Sequence, residues 1–322
     1  MTGPGTSHDL MTGQSMPALE ARLVPRDVLE VSGADAVSYL QGQCSQDVAG
    51  LAEGASAEAL LLSPQGKVDA WVRCTRTGPE AFVLDTEAGQ GPAVVARLER
   101  FRLRTKVEIR PMAWRCLALR GSVDVAALPV PPGSPGGPAV VAALSWPGRS
   151  GLDLLGPAPD GDSELTGWLP AGAVLVGAEA WEAARIAAGI PAVGAEVTGA
   201  TIPAEVGLVE RTVSFTKGCY TGQELVARLD ARGSKVARRL CGLVVEGAEV
   251  PPVGAAVWTA DGDHEVGPVT SSAWSAGRSG PVALAVLHRR VEPPTPVVIR
   301  WSAADGAACQ AVAEARPLPL AP

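Results

Sequence analysis

The sequence predicts an α+β chain that ends in a small antiparallel β-barrel, on three observations. Strand-like and helix-like runs alternate through the first two thirds. From about Arg238 onward, short β-type runs follow one another at 240–245, 255–259, 266–271, 282–287 and 297–301, separated by Gly, Pro and Asp-Gly turns. The 322 residues also exceed what one hydrophobic core serves, so two or three domains are expected.

Residues 1–18 are rich in Gly, Ser, Thr and Pro and are expected to form a disordered tail. Ser32-Gly33-Ala34-Asp35 has the form of a capping box opening a short helix through Leu40. Residues 59–62 and 68–74 read as strands joined by the hairpin turn Ser63-Pro64-Gln65-Gly66. A third strand is expected at 82–84. Val94, Leu98 and Phe101 recur at helical spacing, so 92–102 is predicted as an amphipathic helix. Strands follow at 107–109 and 114–119. The Pro/Gly-rich stretch 128–138 can hold neither a helix nor an inner strand. Trp181, Ala184 and Ala188 share one face of a helix that stops at Gly189, just before Ile190-Pro191.

Hydrophobic residues make up 47% of the chain and aromatics only 4%, so the cores must be built from small side chains. The formal net charge of −7 argues against bulk electrostatic binding of nucleic acid, and direct binding to it is not expected. Two local basic clusters stand out: Arg97, Arg100, Arg102, Arg104 and Lys106, and Arg228, Arg232, Lys235, Arg238 and Arg239. Each reads either as a solvated face or as a surface for an anionic ligand tail or an RNA-bound partner. The six cysteines form no C-x-x-C pair, and the three histidines are dispersed, so no metal site is predicted. Reduced thiols fit a cytoplasmic protein. No secretory signal or membrane-length apolar run is seen.

The segment from Phe215 to Arg239 carries the most chemistry. Thr221-Gly222-Gln223-Glu224 has the form of a capping box, with Thr221 as N-cap and Glu224 reaching back. Cys219 then sits just outside the positive end of a helix, with Lys217 two residues away, and both features favour thiolate over thiol. Two readings stand: a functional thiol, or a small packing side chain beside a solvated lysine. The other five cysteines fall in apolar patterns and are expected to be buried.

Lys217-Gly218-Cys219-Tyr220-Thr221-Gly222-Gln223-Glu224, followed by Val226-Ala227-Arg228, resembles the signature of the folate-binding YgfZ family. These proteins are non-transferase relatives of the glycine-cleavage aminomethyltransferases. Three further segments resemble family elements in the expected order. They are Tyr39-Leu40-Gln41-Gly42-Gln43-Cys44-Ser45-Gln46-Asp47-Val48, the hairpin ending Pro64-Gln65-Gly66-Lys67, and Arg185-Ile186-Ala187-Ala188-Gly189-Ile190-Pro191 with Ile202-Pro203-Ala204-Glu205. Together they span roughly residues 28–245.

The resemblance implies a three-domain aminomethyltransferase-like ring around a channel that binds tetrahydrofolate or a one-carbon derivative. It divides the chain into an N-terminal α+β folate-binding part (19–110), an interwoven second α+β domain carrying the motif (111–237), and the barrel (238–322). It also implies a monomeric accessory protein for iron–sulfur enzymes or their assembly, tRNA-modifying enzymes among them. Cys219 and Lys217 are the implied working residues, framed by Gly218, Tyr220, Thr221, Gly222, Gln223, Glu224 and Arg228. Asp69, Glu205, Lys217, Gln43 and Asp47 are the candidate folate contacts. The alternative is a true aminomethyltransferase. Such enzymes resemble this chain but carry a second acid where Ala70 stands and a pterin-binding Glu where Ala187 stands, so transferase activity is not expected.

Overall fold

A computed structural model describes residues 19–157, 165–231, 233 and 235–320. The expected tail at 1–18 and Arg232 of the second basic cluster lie outside the described residues. The chain is α+β, as its pattern predicts. It forms two five-stranded sheets, a closed six-stranded barrel and a few short helices.

The first sheet pairs β1 (Glu20–Val24), β7 (Trp114–Arg120), β8 (Val140–Ala143), β9 (Gly151–Pro157) and β10 (Val174–Leu175) in the order β10-β1-β7-β9-β8. The second pairs β2 (Arg26–Ser32), β3 (Ser56–Leu62), β4 (Val68–Gly78), β5 (Ala81–Glu87) and β6 (Glu108–Met112) in the order β3-β4-β5-β2-β6. The chain thus starts in one sheet and crosses to the other after Val24. Helices α1 (Ala36–Gln43) and α2 (Gly91–Arg100) cover the second sheet. Their Leu40, Val94 and Leu98 are fully buried against Leu61, Val72, Phe82 and Leu84.

The Ser32 capping box does not form. Ser32 ends β2, and α1 begins at Ala36. The Asp35 carboxylate instead accepts from the Lys106 backbone N–H at 2.7 Å, tying the helix start to the chain entering β6. Long-range pairing thus takes the group that local patterning assigns to a cap.

The expected stop at Gly189 is present. Helix α3 (Ala178–Ala188) ends with Gly189 at φ 73°, the left-handed conformation that glycine adopts without strain. Helices α4 (Val209–Thr212) and α5 (Gln223–Asp230) follow. The barrel closes in the order β11 (Arg238–Val245), β14 (Gly280–His288), β13 (Glu265–Ser275), β12 (Ala256–Thr259), β15 (Thr295–Ser302), β16 (Ala308–Arg316). Its core is built almost wholly of Val, Ala, Leu and Ile. The final segment then returns to α3, where Leu318 and Leu320 pack beside Ala183, Ile186 and Leu284.

A buried charge network spans the two sheets. Arg73 of β4 binds Asp85 of β5 at 2.9 Å and Asp153 of β9 at 2.7 Å. Asp153 also binds Arg120 of β7 at 2.7 Å, and Arg26 donates to Asp85 at 2.8 Å. Burial alone would push the Asp153 carboxyl upward; Arg120 and Arg73 outweigh it and hold the group at about 2.

Candidate functional site

The candidate site has two parts, a platform that carries the motif and a cavity between the sheets. The platform joins three sequence-distant elements. Ser214 N donates to Ser45 O and Thr221 N to Gly42 O, so the loop 214–221 lies along the end of α1. The Lys217 ammonium donates to three carbonyl oxygens, Gln41 O and Cys44 O at 2.6 Å and Gln46 O at 3.0 Å. It also lies 5.1 Å from the Tyr220 ring centroid. Burial draws this amine below its ordinary value, with Cys44 and Asp47 opposing. Lys217 is therefore a clamp on α1, and its three acceptors do not include the Cys219 sulfur.

Cys219 is exposed, as are Phe215, Thr216 and Gly218 around it. Cys44, Cys74, Cys116 and Cys241 are buried, whereas Cys309 is only half-buried, which corrects the expectation of five buried companions. Cys44 and Cys74 sit with their sulfurs 3.9 Å apart in the core.

The Thr221 cap is also corrected. Gly222 is the N-cap, at φ 81°, and α5 starts at Gln223 with no side-chain cap. The Gln223 side-chain oxygen instead accepts from Tyr220 N at 3.1 Å. The reason is a close approach. A Cβ on Gly222 would meet Leu62 Cβ at 2.7 Å and press on the Ser63 carbonyl, and one on Gly66 would meet Leu225 Cβ at 2.6 Å. The β3–β4 hairpin and the motif helix seat on each other through these two glycines.

Four of the candidate folate contacts, Lys217, Gln43, Asp47 and Asp69, gather around the C-terminal end of α1, and Glu205 lies apart. Asp69 and Gln43 are joined by Arg97, whose guanidinium donates to both at 3.0 Å and to Leu62 O. Arg97 is buried, which overturns its reading as part of a solvated basic face. Asp47 accepts from Gln41 and from Gly50 N. Glu205 accepts from Ile202 N and lines a surface groove. Among the motif side chains, Glu224 and Arg228 are exposed. None of Asp69, Gln43, Asp47, Glu205 or Lys217 lines the cavity between the sheets.

That cavity, of about 380 Å³, is walled by Trp71, Trp146 and Trp181. Trp146 and Trp181 pack edge to face with centroids 5.0 Å apart, and the Arg120 guanidinium lies 4.8 Å from Trp146 and 5.3 Å from Trp181. The charge network forms one wall through Arg26, Arg73, Arg120 and Asp153. Arg120 Nε is a buried donor with no partner. Glu87, also on the wall, accepts from Val193 N with both oxygens at 3.1 Å. Burial pushes its carboxyl up. Arg185 and Arg211 complete the polar lining; Arg211 pairs with Glu58 at 2.6 Å beside the Trp71 ring.

The missing transferase partners lie elsewhere. Ala70 is buried in the core under α1, and the Ala187 carbonyl accepts from Leu320 N. The tryptophans come from positions 71, 146 and 181 with no local motif among them, so periodicity could not assemble them.

Residues 238–314 match the family described as the glycine cleavage T-protein C-terminal barrel domain. An uncharacterized protein of Haemophilus influenzae is 29% identical over 218 residues, covering 66% of this chain and 69% of that protein. The tRNA-modifying protein YgfZ of Escherichia coli K12 is 30% identical over 222 residues, covering 63% of this chain and 65% of its own length. The match thus spans about two thirds of these relatives. The glycine cleavage system aminomethyltransferase T of Bartonella henselae superposes with a TM-score of 0.78 over 94% of this chain and 86% of its own, at 22% identity. That likeness establishes an aminomethyltransferase-like fold. With the barrel match and the YgfZ-named relatives beside it, the chain is similar to YgfZ and to the glycine-cleavage aminomethyltransferases.

Proposed function

We propose that the chain binds a reduced folate in the tryptophan-walled cavity and acts as an accessory protein for tRNA modification, serving iron–sulfur enzymes through the exposed Cys219 loop. The observation that carries the folate reading is the cavity itself. Its volume of about 380 Å³ lies within the range of ligand sites, roughly 300–1,000 Å³. Flat aromatic walls suit a flat heterocycle. Arg120 Nε supplies a buried donor that the protein leaves unpaired, an arrangement that costs free energy until an acceptor arrives. Glu87 supplies an acceptor, or a donor when protonated, for ring N–H groups or nitrogens. A folate bound here carries a one-carbon unit or an electron-rich pterin; the protein's part is to hold it out of water and orient it.

The tRNA-modification reading rests on the relatives named tRNA-modifying protein YgfZ. Cys219 supports it locally, as an exposed thiol on a loop anchored by Lys217. The test is titration with tetrahydrofolate while following tryptophan emission. Saturable quenching is expected, and Arg120→Met should weaken binding about tenfold, the loss of one hydrogen bond to a charged donor. No change in emission up to millimolar ligand would overturn the folate reading.

A further inference from the structure

One pair of thiols takes no part in the function proposed above. Cys44 and Cys74 are both fully buried, with their sulfurs 3.9 Å apart. Cys44 is the C-cap residue of α1, and its N–H donates to Leu40 O. Its backbone pairs with Leu61 of β3 through a single bridge. Cys74 lies within β4, opposite Ala57 of β3 on one side and Leu84 of β5 on the other. The strand is thus held from both sides, and the end of α1 is less firmly tied. That end is also where the motif loop is fastened. The Cys44 carbonyl is one of the three acceptors of the Lys217 ammonium, at 2.6 Å. Thr221 N donates to Gly42 O, and Ser214 N to Ser45 O. The two sulfurs differ in character. The hydrogen bond to Cys74, with Lys217 and Arg97 nearby, outweighs burial and draws the Cys44 thiol below its ordinary value. The same hydrogen bond and burial together raise Cys74. Cys241, which has no sulfur neighbour, is pushed up to about 11 by burial.

From this geometry we propose that Cys44 and Cys74 form a site of oxidation by hydrogen peroxide, and that the resulting disulfide loosens the Lys217 clamp on the motif loop. The Cys44 sulfur attacks one peroxide oxygen, the O–O bond breaks, and the departing hydroxide takes the Cys44 proton to become water. The Cys74 sulfur then attacks the sulfenic acid left on Cys44. An S–S bond forms, the S–O bond breaks, and the oxygen leaves as a second water with the Cys74 proton. The two thiols lose two electrons, and peroxide gains them. Peroxide is close to water in size, which suits a pair that bulkier reagents do not reach. A disulfide holds its sulfurs about 2.0 Å apart, so closure draws this pair together by about 1.9 Å. Side-chain rotation takes up part of that distance, and the end of α1 takes up the rest, because β4 is fixed in its sheet. The Lys217 bonds tolerate little of it, since such contacts hold only within about 2.7–3.2 Å. The loop that carries Cys219 then loses its anchor. The inference is independent of what the cavity binds, as neither sulfur lines it.

The test uses the full chain carrying Cys219→Ser and Cys309→Ser, which removes the exposed and half-buried thiols from the reaction. The folded chain is treated with hydrogen peroxide, and the peroxide is removed. One portion is unfolded, alkylated and mapped by mass. A chain lighter by two hydrogens is expected, with one peptide joining Cys44 to Cys74. A second portion is exposed briefly to trypsin. Cleavage after Lys217 reads the clamp, with cleavage after the exposed Arg290 as the reference. The ratio should rise about fivefold on oxidation, as a local anchor is lost. It should fall back when a dithiol reductant is added. Adding Cys74→Ala removes the resolving thiol, so peroxide should then leave the ratio unchanged; reversal by the reductant carries the test if that variant folds poorly. Absence of the Cys44–Cys74 disulfide in the folded chain, or its formation only in urea, overturns the proposal. A disulfide that forms while cleavage after Lys217 stays constant overturns it equally, because the pair then has no hold on the loop.

Discussion

At the scale of single residues, Cys219 and Lys217 turn out to do different jobs. Cys219 is the exposed cysteine of the set, and Cys44, Cys74, Cys116 and Cys241 are sealed in cores. A maleimide probe should therefore modify Cys219 first, Cys309 more slowly, and the four buried thiols only on unfolding. Mass mapping of the labelled peptides reads the order. Cys219→Ser should keep the fold, since an exposed side chain contributes little packing, and should lose support of tRNA modification in cells. Equal labelling of Cys219 and the buried thiols, or full support by the serine chain, would remove the thiol from the function. The motif residues themselves were legible, because Lys217 to Glu224 is long and unusual in composition. The partner of Lys217 was not. Proximity in sequence suggested Cys219, whereas the side chain reaches back to carbonyls some 170 residues earlier. Arg97 shows the same limit: a basic run offers a solvated face or a surface for an anionic partner, whereas Arg97 ties Gln43, Asp69 and Leu62 together in the core.

At the scale of elements, the motif helix and the β3–β4 hairpin form one unit. Glycines set their distance: Gly222 at φ 81° against Leu62 and Ser63, and Gly66 at φ 73° against Leu225. Gly222→Ala should destabilise the chain by about 2–4 kcal/mol, from the left-handed backbone and the forced separation together. Gly218→Ala is the control, because a Cβ there meets nothing within 4 Å, and it should shift stability by less than about 0.5 kcal/mol. Urea midpoints at constant slope distinguish the two. Similar midpoints for both variants would show that the hairpin and helix are not tightly seated. The hairpin turn and the Gly189 stop could be read in advance, because turn and C-cap chemistry are local. The Thr221 cap could not, since a packed glycine displaced it by one residue. The sixth barrel strand, β16, carries no strand pattern: Ala308–Arg316 holds four alanines and a glutamate among nine residues, types depleted from strands, and pairing with β11 and β15 overrides that preference.

At the scale of the whole molecule, the charge network between the sheets ties fold and cavity together. Three guanidiniums, Arg26, Arg73 and Arg120, share two carboxylates, Asp85 and Asp153, and four of these five side chains face the cavity. Such a network is an expensive way to join two sheets, since apolar residues of like volume often do as well. Its place on the wall of the cavity suits the binding role proposed above. Its removal nevertheless has a defined cost. Asp153→Asn leaves Arg73 and Arg120 buried without their shared counter-charge, and a loss of about 3–5 kcal/mol is expected. The pH dependence follows from the same residue. The folded Asp153 carboxyl is held at about 2 against an ordinary 3.8, so the unfolded chain takes up its proton first as pH falls. The stabilisation is complete above the ordinary value and drains away between there and the folded value, by roughly 2 kcal/mol. Urea unfolding at stepped pH should show the unaltered chain losing stability steeply from about pH 4 to pH 2. The Asp153→Asn chain, already weaker, should lose less over that interval. Parallel slopes in the two chains would mean that Asp153 is not held down by its arginines, and that the network is looser than the distances of 2.7 Å to Arg73 and Arg120 require.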